Sequence, residues 1–414
     1  MDGEQNSVTE GIDLTSNASD KIASARSLFP GAARNVYMNV SVRGLLSTRV
    51  KAAVHRYLDE HSTGEWDKQE LLATVEETRQ RFATLINASP DEIAFTKNAS
   101  DGLNMIAASL PWKAGDNLIL CPEVEHPNNV YPWMNVERRF GVEARSVSPD
   151  DGRIPIQQMI DTMDERTRLV TVSTVTFAPG FVTDIETLTK ACRERGVVCV
   201  VDAAQSAGVL HTDVEQLGVD ALAVATQKGL LAFYGMGFLY CRRRLANQLN
   251  PAYLARFGVA VGDDAHETAM DLDRLRLADG ARRFDLGNFN YLGATAANAS
   301  LELLLDIGTR DIETHVRSLA ALLASGMRDI GLPVAGGEPG PHLGHIVAVG
   351  KSGGGRHYTA DDPAMNSLYE HLSTNGVKLA IRRGVLRLSM HLYNNDQDVR
   401  RVVDLSREWR SVQL

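Results

Sequence analysis

From Val36 onward, short apolar runs alternate with longer stretches in which apolar side chains recur at i, i+3 and i+4. Runs this short and this apolar predict strands buried on both faces, and the longer stretches predict the amphipathic helices that cover them. The predicted strands span 92–96, 117–120, 169–173, 197–201, 221–226 and 237–241. The predicted helices span 50–60, 68–85, 101–110, 156–163 and 185–195. Alternation of this kind implies an α/β fold with a mostly parallel sheet between two helical layers. Past Gly287 the texture changes to long helices over 294–306 and 312–330, a strand-like run over 344–349 and a glycine-rich loop over 352–355. The expected division is an N-terminal tail and arm (1–35) packing with the small domain, a large domain (36–287) and a smaller α+β domain (288–414).

Composition narrows the class without changing the fold. The 414 residues are 44% hydrophobic and 23% charged with a net charge of −9, an ordinary globular balance that needs no disulfide or metal staple. The basic clusters are short (242–244 and 382–383), so no nucleic-acid partner is expected. No apolar run is long enough to span a bilayer, and residues 1–21 lack the apolar segment of an export signal. The four cysteines, Cys121, Cys192, Cys199 and Cys241, show neither CxxC pairing nor ligand spacing. They read as reduced thiols of a cytoplasmic protein without a metal site.

The chemistry concentrates at two strand ends. Asp202 closes the apolar run 197–201 and is followed by Gln205, and Lys228 sits in the turn after 221–226. The carboxyl edge of an open α/β sheet is where ligands bind, and a buried carboxylate and amine there each require a partner. A plain Asp/Lys ion pair would satisfy the same two residues. Their surroundings favour more. Asp220, Ala225, Thr226, Gln227, Lys228, Gly235 and Gly237, leading into Phe238 and Leu239, form an ordered string that resembles the pyridoxal-phosphate lysine signature of the class V aminotransferase family. A lysine that binds an aldehyde cofactor needs a short turn, small neighbours and a hydroxyl for phosphate, and this string supplies all three.

The resemblance implies a fold type I enzyme, with a seven-stranded type of sheet in the large domain, that binds pyridoxal 5'-phosphate on Lys228. It implies that Asp202 pairs with the pyridinium nitrogen, that Gln205 bonds the ring hydroxyl, and that His126, within Glu125-His126-Pro127-Asn128-Asn129, covers the ring face. It makes Lys228, His126 and Asp202 the catalytic set. Phosphate is expected at the helix start Asn98-Ala99-Ser100, where amide groups and the helix dipole favour an anion, with Thr226 as a further hydroxyl. Arg387, in Leu386-Arg387-Leu388-Ser389 followed by His391, Tyr393, Asn394 and Asp398, resembles the family's closing motif and implies a clamp for the substrate α-carboxylate. Gly287 and Asn288 resemble a segment that reaches the neighbouring subunit's phosphate, which implies a homodimer with shared active sites.

Departures from the family pattern bear on the reaction. Desulfurases of this family carry a nucleophilic cysteine shortly before the closing arginine; here the connection holds Arg382 and Arg383, and no cysteine follows Cys241. Gln227 stands where desulfurases carry histidine, which leaves Lys228 as the main proton carrier. Phe177 replaces an asparagine that helps hold the substrate carboxylate. Arg43, at a turn that borders the site in relatives, is a further substrate candidate. The resulting expectation is an enzyme that forms a Cα carbanion from an amino acid, foremost a C–S lyase acting by β-elimination on cysteine or a cysteine S-conjugate. Aminotransfer is the alternative, followed by epimerisation or decarboxylating deamination, and a catalytically silent binding scaffold is the reading from another class.

Overall fold

The computed structural model describes residues 17–262, 268–354 and 358–413. Most of the expected N-terminal tail, and Gly355 of the glycine-rich loop, lie outside them. Seven strands form the large sheet: β1 (Ile93–Thr96), β2 (Asn117–Leu120), β3 (Glu143–Ser146), β4 (Thr167–Ser173), β5 (Val198–Asp202), β6 (Ala221–Ala225) and β7 (Gly237–Cys241). Their order is β1-β7-β6-β5-β4-β2-β3, and only β7 runs against its neighbours. Strands β1, β2, β4, β5 and β6 therefore direct their carboxyl ends to one edge. β5 and β6 are buried along nearly their whole length, as their unbroken apolar runs require. β3 escapes the apolar pattern because it is an edge strand with no buried residue, and Glu143 and Arg145 pair with each other on it at 2.9 Å.

The helices follow the periodicity closely. Lys68–Leu85 begins at Asp67, whose Oδ1 accepts from the Gln69 and Glu70 amides at 2.7 and 3.0 Å. The helix predicted at 50–60 extends over Thr48–Thr63, because Ser47 caps it and Gly64, at φ 78°, ends it.

Three strands, β8 (Ile346–Val349), β9 (Ala380–Arg382) and β10 (Val385–Ser389), make a second, antiparallel sheet in the order β9-β10-β8. With helices Thr309–Asp329, Pro363–Thr374 and Asp396–Gln413 it encloses a core containing Leu323, Met327, Leu368, Leu388 and Val402. The cores do not part at residue 288. Helix Tyr291–Ile307 packs on Thr48–Thr63 and Lys68–Leu85, and its Ala294, Ala297, Leu301 and Leu304 belong to the core of the large sheet. Conversely, Val36–Tyr37 pairs in parallel with Val377–Lys378, and Met38 is buried in the second core. The N-terminal arm also touches both bodies. Its Ile22, Ala25 and Phe29 join the first core, while Arg26 pairs with Asp398 at 2.7 Å. Periodicity identified these helices, but only packing shows which face each one covers. Among the described residues no helix is long and apolar enough to cross a membrane, and no group of three or more His, Cys, Asp or Glu side chains could hold a metal ion.

Candidate active site

The five carboxyl ends open onto one cavity of about 250 Å³. β1 leads into Asn98, Ala99 and Ser100, β2 into Glu125 and His126, β4 ends at Ser173, β5 at Asp202, and β6 leads through Ala225 to Gln227 and Lys228. Arg387, on β10, and Arg382, at the end of β9, close the wall from the second sheet, with Ser41, Val42, Phe177, Gln205 and Tyr234.

Lys228 and Asp202 set the electrostatics. Burial pushes the half-buried Lys228 amine down to about 8; Asp202 opposes this and Arg387 adds to it. Burial also raises the Asp202 carboxyl, against the pull of Lys228 and of the Ala204 amide, which donates to Oδ1 at 2.8 Å. The pair therefore combines a readily neutralised amine with a carboxylate that depends on nearby positive charge.

At one end of the cavity, Asn98 caps helix Ala99–Ser109 by accepting from the Asp101 amide at 3.0 Å, which leaves the first turn, at Ala99 and Ser100, on the cavity wall. Gly237 lets this turn approach the sheet, since a Cβ there would lie 2.8 Å from Thr96 Oγ1 and 3.0 Å from Asn98 Cα. Elsewhere on the wall, Arg387 is fully buried, and one of its η nitrogens donates to the Phe177 carbonyl. Its guanidinium lies 4.8 Å from the Phe177 ring, which meets His126 edge-on at 4.8 Å. Burial, helped by Arg382, lowers Arg387 to about 9, and no carboxylate forms an ion pair with it among the described residues.

Two of the expected residues are not brought to this cavity wall. Thr226 is buried behind the wall, and its hydroxyl donates to the carbonyls of Phe233 (2.6 Å) and Met236 (3.0 Å), so its one proton is committed to the turn instead of to a phosphate. Arg43 is exposed and absent from the wall; the turn that bonds the Val42 and Arg43 amides to Asn39 O presents Ser41 and Val42 instead. Gly287 and Asn288, expected to serve a neighbouring subunit's site, lie outside the wall of their own cavity; Gly287 packs against Phe257, and Asn288 is exposed.

One residue without an assigned role enters the site. Glu125 is fully buried and accepts from the Ser173 amide at 2.6 Å. Burial, reinforced by Asp202 and opposed by the Ser173 amide, raises its carboxyl to about 7. Its place directly before His126, at a strand end, was the available signal.

These shifts predict a pH dependence of stability. Burial lowers His345 to about 3 and His391 to about 4, against about 6.5 unfolded. The unfolded chain then binds more protons below pH 6.5, and stability falls as pH drops from there. Glu125 acts oppositely, because the folded chain holds its proton between the unfolded carboxyl value and about 7. Urea unfolding at pH 6.5, 5.75 and 5 is therefore expected to show a loss that Glu125→Gln steepens by about 1.4 kcal/mol per pH unit. Parallel curves for the two proteins would refute a protonated Glu125.

The wall carries five buried polar atoms without partners: Glu125 Oε2, Ser173 Oγ, Gln205 Oε1, Gln227 Oε1 and Arg387 Nε. Orphaned groups around one cavity, with a helix start at one end and a guanidinium at the other, fit a polar, anionic ligand together with a carboxylate. A lysine lies between them.

A site of this kind on a mostly parallel sheet with a second small domain defines an α/β enzyme with an amine-centred cavity. A family model described as aminotransferase class-V matches residues 43–402, and the chain belongs to that family. It is a pyridoxal-phosphate-dependent enzyme. A probable cysteine desulfurase of Methanothermobacter thermautotrophicus is 32% identical over 344 residues, 78% of this chain and 81% of the relative. An uncharacterized aminotransferase, YcbU, of Bacillus subtilis is 31% identical over 380 residues, 92% and 95% of the two chains. Among solved structures, the apo cysteine desulfurase of Thermococcus onnurineus NA1 aligns with a TM-score of 0.80 at 24% identity, covering 93% of this chain and 97% of that one. The cystine C-S lyase C-DES, in complex with cysteine persulfide, aligns with a TM-score of 0.80 at 22% identity, covering 92% and 99%. The fold is fold type I.

Proposed function

We propose that this enzyme is a C–S lyase that acts by β-elimination on cysteine or a cysteine S-conjugate, with Lys228 as the cofactor lysine. The observation that carries the reading is the pairing of Lys228 and Asp202 with the buried Arg387 in one cavity whose wall contains no cysteine among the described residues. All four cysteines are buried, and the turn between β9 and β10 is only Arg383-Gly384. A sulfur nucleophile has no place there, so the sulfur departs as a free leaving group and is not passed to a protein thiol.

Pyridoxal phosphate, when bound, supplies an aldehyde for amines and a ring that accepts the electron pair left at Cα. Asp202 would hold a proton on the ring nitrogen, Gln205 would meet the ring hydroxyl, His126 would cover one face, and Asn98, Ala99 and Ser100 would take the phosphate. Arg387 fixes the substrate carboxylate with the nitrogens that Phe177 leaves open. Lys228, depressed to about 8, accepts the Cα proton. In the elimination the Cα–H and Cβ–S bonds break: the proton passes to Lys228, the Cα–H pair becomes the Cα=Cβ double bond, and the Cβ–S pair leaves with sulfur, as hydrosulfide from cysteine or as a thiolate from an S-conjugate. Addition of water releases the remaining carbons as pyruvate and ammonia.

Aminotransfer is the second reading, favoured by Gln227 beside the lysine. We further propose a homodimer in which Gly287 and Asn288 serve the neighbouring site, because both lie outside the wall of their own cavity. The deciding assay supplies cysteine and S-conjugates without a keto acid and follows thiol, pyruvate and ammonia. Equimolar release over many turnovers supports the lyase. A single turnover that resumes only when a keto acid is added would make the enzyme an aminotransferase.

A further inference from the structure

The Lys228 turn is held through its carbonyl oxygens by three remote parts of the chain. Gln227 O accepts from the Gly44 amide at 2.8 Å, Gly229 O from His391 Nε2 at 2.9 Å and Leu230 O from Ser300 Oγ at 2.7 Å. Gly229 also has no room to shift toward residue 207, since a Cβ on it would lie 2.4 Å from Ala207 O. Of the three straps, His391 alone comes from the second sheet. It lies two residues beyond the end of β10, and β10 carries Arg387.

The direction of the strap is set by the ring's other nitrogen. Leu392 N donates to His391 Nδ1 at 2.7 Å, so in the neutral ring the proton sits on Nε2 and points at Gly229 O. His391 is fully buried and lies outside the cavity wall.

We propose that His391 is a positioning residue for Lys228: its Nε2–H ties the strand that grips the substrate carboxylate to the turn that carries the amine. This rests on the reading of Lys228 as the cofactor lysine. The link explains how two groups on different sheets keep one separation, which proton transfer at Cα demands of a carboxylate anchor and a base.

Lys228 feels Asp202 and Arg387, while the His391 ring feels His315 and exerts its own influence on His345. The ring also stacks on Tyr393 at a centroid distance of 5.6 Å. Burial keeps it neutral down to about pH 4, so its replacement removes no charge from the site at neutral pH.

The test compares holoenzyme of the natural sequence with His391→Ala, His391→Gln and Lys228→Ala. The readouts are the pH midpoint of the borohydride-sensitive visible band, kcat, KM and thermal midpoint. Loss of the strap in His391→Ala is expected to move the band midpoint by about 0.5 pH unit or more. It is also expected to lower kcat about tenfold with KM changed less than about twofold. His391→Gln, which keeps an N–H of similar reach, is expected to restore most of both. If His391→Ala does not fold, His391→Asn, whose shorter amide falls short of Gly229 O, takes its place. An unchanged midpoint and kcat in the folded variant would overturn the proposal. So would a Gln variant as impaired as Ala, or a change confined to the thermal midpoint. A visible band that persists in Lys228→Ala overturns the lysine assignment itself, a result separable from any behaviour of His391.

Discussion

Lys228→Ala is expected to lose the borohydride-sensitive visible band and to reduce kcat by on the order of 10³-fold or more, since covalent anchoring and proton transfer at Cα would both vanish. Lys228 is the only lysine in the cavity wall among the described residues, so no neighbouring amine can take over. A second loss follows from Asp202. Its buried carboxyl is raised by desolvation and held back chiefly by the Lys228 charge. Without that charge its carboxyl is pushed further up, which weakens its hold on a proton at the ring nitrogen. Added methylamine is expected to rescue the proton transfer in part but not the anchoring. Absorbance and single-turnover kinetics check both points, and a variant that keeps band and turnover would remove Lys228 from the mechanism.

Arg387→Ala is expected to lower kcat/KM for amino acids about 100- to 1000-fold, mainly through KM, while leaving the cofactor band intact. The guanidinium is fully buried, one η nitrogen is used by Phe177 O, and Nε has no partner. The open donors therefore await an acceptor that the substrate must bring. Lysine should not substitute, because an ammonium provides neither the fork nor the flat face that lies 4.8 Å from Phe177. The control is a substrate analogue without the carboxylate, on which Arg387→Ala and the natural enzyme should perform alike. A comparable loss on that analogue would show that Arg387 supports the fold and not the carboxylate.

Much of the architecture was legible because burial on two faces leaves unbroken apolar runs and burial on one face leaves a 3.6-residue period. Strands 117–120 and 237–241 and helices 68–85 and 185–195 coincide with the elements observed. β3 was hidden by its polar edge position. The gathering of Asp202, Lys228 and His126 in one cavity was legible because each follows a parallel strand, and the carboxyl ends of such strands share an edge. The site was less legible where a side chain's role depends on competition for its hydrogen bonds. Thr226 stands beside the lysine, yet its proton is claimed by Phe233 and Met236. Arg43 has the right charge but sits on the outer side of its turn.

The sequence by itself determined the sheet-and-helix alternation, the string around Lys228, the arginine motif and the lack of a cysteine after Cys241, because these reside in local order along the chain. Tertiary structure alone decided that Glu125 is buried near Asp202 and that Arg382 joins Arg387 in one wall. It also decided that helix Tyr291–Ile307 belongs to the first core and that His391 reaches Gly229. Each of these depends on residues far apart in the chain meeting in space, and on the desolvation that follows, which no local pattern encodes.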